Sequence, residues 1–208
     1  MHHRTKKRTQ YGPWTVWAGR AILRLLGWGL VGERPDAPKF VVSCAPHASN
    51  WDLFFTLFAS MGYSLPAVFT LKDFWFFWPL GPFFRWLGGI PIDRSVRGNT
   101  VDQMVQMFNE SEKVILLVPP SGTRKNVKYW KTGFYWIALG AKVPIVMAVI
   151  DYRQRKVFLE KVLYPSGDIE ADFEEIRAYY QERAGISPDF DRSKFKRDEN
   201  GKIIAPSS

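Results

Sequence analysis

Residues 39–52 read Lys-Phe-Val-Val-Ser-Cys-Ala-Pro-His-Ala-Ser-Asn-Trp-Asp, and this stretch predicts a strand, a loop and the start of a helix. The segment Lys39–Cys44 has the apolar, partly β-branched composition of a buried strand. Ser49 or Asn50 can serve as the N-cap of the apolar run that begins at Leu53. A buried strand that leads through a short loop into a helix is typical of an α/β fold.

The same alternation of strand and helix continues along the chain. Strand-like runs follow at Ala67–Leu71, Ile90–Ile92, Val114–Val118, Val143–Asp151 and Arg155–Leu163. Helical patterns occur at Trp14–Val31, from Leu53 onward, around Val101–Phe108, and at Gly133–Gly140 and Asp168–Ala184. We therefore predict an α/β fold with a single domain, in which a largely parallel or mixed sheet is flanked by helices.

His47 and Asp52 carry the clearest chemistry in the opening stretch. The chain has three histidines, and the other two, His2 and His3, stand in a basic N-terminal tail. Histidine has an ordinary pKa of about 6.5, so a neutral imidazole is available as a proton acceptor at pH 7. With His47 in the loop and Asp52 in the first helical turn, the carboxylate can orient the imidazole as a general base. The same spacing fits a structural loop histidine bonded to a helix-capping aspartate.

The composition indicates an anionic partner and a surface that meets lipid. The net charge is +9, and aromatic residues make up 16% of the chain, with nine tryptophans. The single cysteine, Cys44, excludes an intramolecular disulfide and is typical of a reducing compartment. It is either a nucleophile near His47 or a small core residue, and its apolar strand favours the core. We expect no nucleic-acid partner and no catalytic metal, because neither a nucleic-acid module nor metal-ligand spacing occurs.

The segment Trp14–Val31 predicts an amphipathic, membrane-associating helix. Trp14 and Trp17 fall on one face, and Arg20 and Arg24 fall on another. A helix packed on the core is the alternative.

Two further apolar segments also have two interpretations each. The uncharged run Leu53–Leu71 has transmembrane length, but Gly62, Ser64 and Pro66 interrupt it, so we predict a core helix followed by a strand. The aromatic segment 74–86 can contact lipid or pack in the core, and lipid contact is favoured.

Three other segments carry candidate binding residues. Gly88–Arg94 delivers an arginine from the end of a short strand, and Lys142–Val146 begins another strand. Pro119–Arg124 follows the strand Val114–Val118 and offers backbone N–H groups, a hydroxyl and a guanidinium, a set that suits a phosphate. An ordinary loop with solvated basic residues is the alternative for this last segment.

Together and in this order, the four segments resemble the sequence blocks of the glycerolipid acyltransferases, the 1-acylglycerol-3-phosphate acyltransferase-like family. The resemblance spans about half of the chain. The four blocks are matched by His47–Asp52, Gly89–Arg94, Ser121–Arg124 and Val143–Ile145.

The resemblance implies an O-acyltransferase of phospholipid biosynthesis. It would move a fatty acyl group from a thioester, acyl-CoA or acyl carrier protein, to the hydroxyl of a lysophospholipid-like acceptor such as 1-acylglycerol-3-phosphate. His47 would be the general base and Asp52 would orient it. The residues implied for the acceptor phosphate are Arg94, Ser121, Gly122, Thr123 and Arg124. Further candidates, for a groove that takes the acyl chain or the donor, are Trp51, Lys131 and Pro144. No cofactor is implied beyond the thioester co-substrate.

Ser121 departs from the family pattern, because the third block normally reads Glu-Gly-Thr-Arg. Serine is shorter than glutamate and supplies no carboxylate, which weakens any role in orienting Arg124. The departure leaves open an alternative function, a catalytically degenerate lipid-binding protein on the same fold.

We expect three parts along the chain and a place at a membrane. These parts are a basic tail and amphipathic interfacial helix over 1–32, the acyltransferase domain over 33–186, and a polar C-terminal tail over 187–208 that frays. The N-terminal segment lacks the pattern of a secretory signal, and the lone cysteine fits a reducing compartment. We therefore predict a peripheral or monotopic protein on the cytoplasmic face of a membrane, whose partners are the bilayer surface, the acceptor and the thioester donor.

Overall fold

A computed structural model describes residues 11–46, 49, 51–72, 76–78, 81–82, 85, 88–92, 99–122, 127–199 and 201–204. The strands are β1 (Gly29–Gly32), β2 (Lys39–Cys44), β3 (Ala67–Lys72), β4 (Gly89–Ile92), β5 (Val114–Val118), β6 (Tyr129–Trp130), β7 (Ile145–Asp151), β8 (Lys156–Leu163) and β9 (Asp189–Phe190). The α-helices are α1 (Pro13–Leu25), α2 (Asp52–Gly62), α3 (Asn99–Glu110), α4 (Gly133–Ala141) and α5 (Ile169–Ala184), and a short 3-10 helix covers Arg192–Lys194.

Seven of these strands form one mixed sheet in the order β1-β8-β7-β2-β5-β3-β4. The five strands β2, β3, β4, β5 and β7 run in the same direction, so their carboxyl ends lie at one edge of the sheet, which we call the carboxyl edge. β8 is antiparallel to β7, and β1 is parallel to β8. β6 and β9 form a separate parallel pair. The predicted α/β fold with a largely parallel or mixed sheet is thus confirmed.

Helices cover both faces of the sheet. Leu23 of α1 and Ala59 of α2 belong to an apolar cluster on one face, and α3, α4 and α5 contribute to a larger cluster on the other. The helix predicted at Asp168–Ala184 is also confirmed, and its residues Phe173 and Tyr180 are fully buried. The prediction for Leu53–Leu71 is also confirmed, because this run divides into α2 and β3.

The first helix is shorter than the sequence periodicity predicted. It ends at Leu25, and Gly27 follows with a φ of +75°. Trp28 N–H donates to Leu23 O and Gly27 N–H donates to Arg24 O, the hydrogen-bond pattern of a Schellman motif. The chain then enters β1, so Leu30 and Val31 lie in the sheet, and the extension of the helix to Val31 was wrong.

The structure gives α1 a packed face and an exposed face. Gly19 and Leu23 are buried, and a Cβ on Gly19 would lie 2.8 Å from the backbone nitrogen of Gly62, so the two helices cross closely at these glycines. Trp14 and Trp17 remain 82% and 65% exposed. None of the helices in the described part of the chain is long and apolar enough to cross a membrane.

Residues 189–199 and 201–203 are packed, although the sequence predicted a frayed tail from 187 onward. Phe190 and Ile203 are buried in the larger apolar cluster, and β9 pairs with β6. Arg192 and Arg197 both form ion pairs with Glu170 at the start of α5. The polar composition concealed two apolar anchors, Phe190 and Ile203, that tie this segment to the domain.

Candidate active site

The carboxyl edge collects most of the predicted functional segments. The first block follows β2, the second comprises β4 and the two residues after it in the sequence, and the third follows β5. β2 lies between β5 and β7 in the sheet. The loop after β2 therefore begins about 5 Å from the loop after β5 and about 5 Å from the loop after β7. Binding sites of open α/β sheets form at this edge, where loops converge and helix N-termini face the ligand.

Asp52 is fully buried at the first position of α2. Its Oδ2 accepts a hydrogen bond from the backbone N–H of Ser49 at 2.9 Å, and its Oδ1 accepts one from the Tyr152 hydroxyl at 2.5 Å. The Ser49 hydroxyl accepts from the N–H of Trp51, which closes the turn ahead of the helix. An aspartate in the first helical turn suits the helix dipole, so the sequence folds locally in a way that holds a carboxylate at this edge.

Tyr152 was not selected from the sequence, although the structure places it in contact with Asp52. It follows directly after Asp151, the last residue of β7. Its ring lies against two other aromatic rings, with centroid distances of 5.2 Å to Trp28 and 5.7 Å to Phe55. The only sequence signal for Tyr152 was its position at the end of a buried strand, a place where side chains meet at the carboxyl edge.

Cys44 lies at the end of β2 and is buried. Burial, together with the negative charge of Asp52, raises the pKa of its thiol to about 12. The thiolate is the nucleophilic form of cysteine, so a thiol with this pKa is inert near neutral pH. Of the two interpretations given to Cys44, the structure supports the small core residue.

An open, mainly apolar pocket of about 680 Å³ adjoins Asp52. Its walls include Trp51, Phe54, Tyr152 and Arg155. Tyr152 therefore has its ring in the pocket wall and its hydroxyl on the buried carboxylate. The pocket is large enough for part of an acyl chain, and its apolar walls match such a ligand.

The described part of the third block forms a turn after β5 that is covered by a lysine. Gly122 has a φ of +61°, which favours glycine over other residues. A Cβ on Gly122 would lie 3.0 Å from both Cε and Nζ of Lys131. The backbone N–H of Lys131 also donates to Pro120 O. This bond keeps the exposed lysine next to the loop that contains Ser121 and Gly122.

The other predicted site residues have different outcomes. Four of them, His47, Arg94, Thr123 and Arg124, lie outside the described residues. Pro144 precedes β7 and therefore lies at the opposite edge of the sheet, where its carbonyl accepts a hydrogen bond from Val41 N–H. The structure does not bring Pro144 together with Trp51 and Lys131. Within the ranges that the structure describes, no group of three or more His, Cys, Asp or Glu side chains could hold a metal ion.

Comparison with known proteins gives the family. A family model described as Acyltransferase matches residues 33–151, more than half of the chain, and the protein therefore belongs to the acyltransferase family. Among solved structures, the chain is similar to the 1-acyl-sn-glycerophosphate (LPA) acyltransferase PlsC from Thermotoga maritima. The two share 21% sequence identity over 81% of this chain and 74% of that chain, with a TM-score of 0.53, which shows a common fold. A search of curated proteins gave no match.

Proposed function

We propose that this protein transfers a fatty acyl group from a thioester donor, acyl-CoA or acyl carrier protein, to the hydroxyl of a lysophospholipid-like acceptor such as 1-acylglycerol-3-phosphate. The observation that carries the proposal is the buried, doubly hydrogen-bonded carboxylate of Asp52 beside an apolar pocket. Membership of the acyltransferase family supports the reaction class. The protein would then serve phospholipid biosynthesis.

In the proposed reaction, His47 acts as the general base and Asp52 orients it. His47 takes the proton of the acceptor hydroxyl as that oxygen attacks the thioester carbonyl carbon. The tetrahedral intermediate collapses by breaking the carbon–sulfur bond, and the proton passes to the departing thiolate. The products are the new ester and a free thiol, so no acyl-enzyme is required.

The acceptor phosphate would be bound by the second and third blocks. The proposed residues are Arg94, Ser121, Gly122, Thr123 and Arg124, with the nearby Lys131 as a further cation. Arginine can bind a phosphate with two hydrogen bonds, and lysine adds a point charge. Fixing the phosphate would orient the acceptor hydroxyl toward His47, which makes the attack effectively intramolecular.

The pocket beside Asp52 is the proposed site for the acyl chain. Trp51 was a candidate for this groove, and its place in the pocket wall supports that role. Phe54 and Tyr152 also line this pocket, and the Tyr152 hydroxyl bonds the carboxylate. An acyl chain in the pocket would have its thioester near Asp52, as the proposed chemistry requires.

We further propose that the protein binds a membrane surface through the exposed apolar residues around the pocket, on the cytoplasmic face as the lone cysteine suggested. These residues are Leu25, Leu26, Trp51, Leu53 and Phe54, which are between 47% and 87% exposed. Arg24, Arg153 and Arg155 are also exposed. Exposed aromatic and aliphatic side chains beside basic ones are typical of proteins that bind anionic bilayers, where both substrates would be found.

Ser121 favours a second candidate function, a lipid-binding protein with degenerate chemistry. Its place in the loop after β5 is the place of the family's glutamate, and serine supplies no carboxylate there. This candidate predicts that lysophosphatidate binds without turnover. It also predicts that Ser121→Glu creates activity that the wild-type chain lacks.

An assay of thiol release in mixed micelles separates the two candidates. We expect purified protein with long-chain acyl-CoA or acyl carrier protein to release thiol only when 1-acylglycerol-3-phosphate is present. His47→Ala should abolish this release, because general-base catalysis contributes about 10²- to 10⁴-fold. Circular dichroism should show the same fold for the wild type and His47→Ala. Release that is undiminished in His47→Ala, or that does not depend on any acceptor of a lysophospholipid panel, would contradict the proposal.

A further inference from the structure

Tyr152 contacts Asp52, and the proposed reaction gives this contact no role. The two residues are separated by 100 positions in the sequence, and the order of β7 beside β2 brings them together. The tyrosine hydroxyl donates to Asp52 Oδ1, while Ser49 N–H occupies Oδ2. A carboxylate that accepts a hydrogen bond on each oxygen has a fixed orientation and carries less free charge.

The surroundings of Tyr152 keep its hydroxyl in place. Trp28 and Phe55 stack on each other with ring centroids 4.0 Å apart, and the tyrosine ring meets both at nearly a right angle. Tyr152 is 40% exposed, and its partial burial, followed by the contact with Asp52, raises its pKa to about 12. The phenol therefore stays protonated and remains a donor throughout the working range of an enzyme.

We propose that Tyr152 is a positioning residue for the Asp52–His47 pair, whose hydroxyl holds the carboxylate in one orientation and takes up part of its charge. The inference rests on the proposed function, in which Asp52 orients the base His47. A carboxylate relieved of part of its charge stabilises a facing imidazolium less strongly. Tyr152 thus keeps more of His47 in the neutral form that accepts a proton at neutral pH.

The other charged and titratable groups around Tyr152 are few within the described residues. Cys44 lies on β2 and remains a neutral thiol, because burial raises its pKa. Arg155 shares the pocket wall, and the Ser49 hydroxyl interacts with the phenol. Trp28 and Phe55, from the other elements packed on the ring, carry no charge.

The chain offers a matched control for the removal of this hydroxyl. Tyr135 donates its hydroxyl to the buried Asp172 at 2.7 Å, and Asp172 also accepts from Ser166 N–H at 2.8 Å. This second group has the same two kinds of donor as the first, a tyrosine hydroxyl and a serine N–H. Asp172, however, belongs to α5 on the other face of the sheet. Tyr152→Phe and Tyr135→Phe therefore each remove one tyrosine hydroxyl from a buried aspartate.

The test is a titration of His47 by NMR, combined with pH profiles of turnover. Replacing His2 and His3 with glutamine leaves His47 as the one imidazole of the chain. In Tyr152→Phe, we expect the imidazole titration midpoint and the acidic limb of kcat/KM to move upward by roughly half a pH unit. In Tyr135→Phe, both should stay at their wild-type values. Unchanged or lowered values in Tyr152→Phe would overturn the proposal, as would an equal upward shift in Tyr135→Phe.

A second variant protects the test against a loss of folding. Tyr152→3-fluorotyrosine keeps the shape of the ring and makes the hydroxyl a stronger donor. The titration midpoint should then move downward, in the direction opposite to that of Tyr152→Phe, and an unchanged midpoint would count against the proposal. The titration needs no turnover, so absence of acyl transfer would refute the proposed function while leaving the coupling of Tyr152 to His47 measurable.

Discussion

Asp52 and Asp172 are two buried aspartates that each accept hydrogen bonds from a tyrosine hydroxyl and a serine N–H, on separate oxygens at Asp52 and both on Oδ2 at Asp172. The kinds of donor alone therefore do not identify the aspartate that we propose to be functional. What distinguishes Asp52 is its place at the carboxyl edge, beside the apolar pocket and five residues after His47.

Lys131 gives a prediction at the scale of one residue. Lys131→Met keeps most of the side chain that covers Gly122 and removes its ammonium group. We expect the KM for an anionic substrate to rise about three- to tenfold with little change in kcat, because a cation near a bound phosphate contributes mainly to binding. The KM values for 1-acylglycerol-3-phosphate and for acyl-CoA, measured separately, identify the substrate that Lys131 binds.

Lys128 provides the control for this variant. It is exposed, and its ammonium lies 5.0 Å from the centre of the Tyr129 ring. Lys128→Met should leave both KM values unchanged. If Lys131→Met also changes neither, the role of Lys131 in substrate binding is refuted.

The sequence was sufficient to predict that Asp52 lies in the first turn of a helix, and insufficient to find Tyr152. A helix start can be predicted from the residues next to it, because the N-cap and the first turn are local features. Tyr152 meets Asp52 only because β7 lies beside β2 in the sheet, and strand order is a long-range property. Pro144 shows the same difficulty, since its block matches the family while β7 places it at the far edge.

At the scale of elements, α1 illustrates how a glycine overrides periodicity. The apolar spacing favoured a helix through Val31, whereas Gly27 with its positive φ ends the helix at Leu25 and turns the chain into β1. The sequence placed Trp14 and Trp17 on one face of this helix, and both side chains are exposed; the contact of that face with a membrane stays a prediction. Trp14 and Trp17 point away from the packed residues Gly19 and Leu23, and their ring centroids are 6.3 Å apart.

This exposed face leads to a prediction about membrane binding. The double change Trp14→Ser and Trp17→Ser should weaken binding to vesicles that contain phosphatidylglycerol by about tenfold or more, because two exposed indoles are lost from the interface. Sedimentation with vesicles of phosphatidylcholine, with and without phosphatidylglycerol, measures the effect. Tyr164→Ser is the control, since Tyr164 is 71% exposed and follows β8, outside α1. Equal vesicle binding by the double variant and the wild type would exclude α1 as the contact.

At the scale of the whole molecule, the sheet order explains why residues far apart in sequence serve one edge. Five parallel strands end there, and three of the blocks recognised in the sequence follow or include the end of one of them. Alternating strands and helices were sufficient to predict this class of fold. They were insufficient to predict that residues 189–199 and 201–203 return to the core, because Phe190 and Ile203 are isolated apolar residues in a polar segment.

The central claim is that the carboxyl edge around Asp52 carries out acyl transfer, and one comparison of variants tests it most directly. Asp52→Asn and Asp172→Asn each remove a buried carboxylate with the same two donors, so both should lose a similar free energy of unfolding, about 1–3 kcal/mol. Acceptor-dependent thiol release should fall about 10²- to 10⁴-fold in Asp52→Asn and change less than about twofold in Asp172→Asn. Full turnover in Asp52→Asn, or an equal loss in Asp172→Asn, would contradict the assignment of the active site.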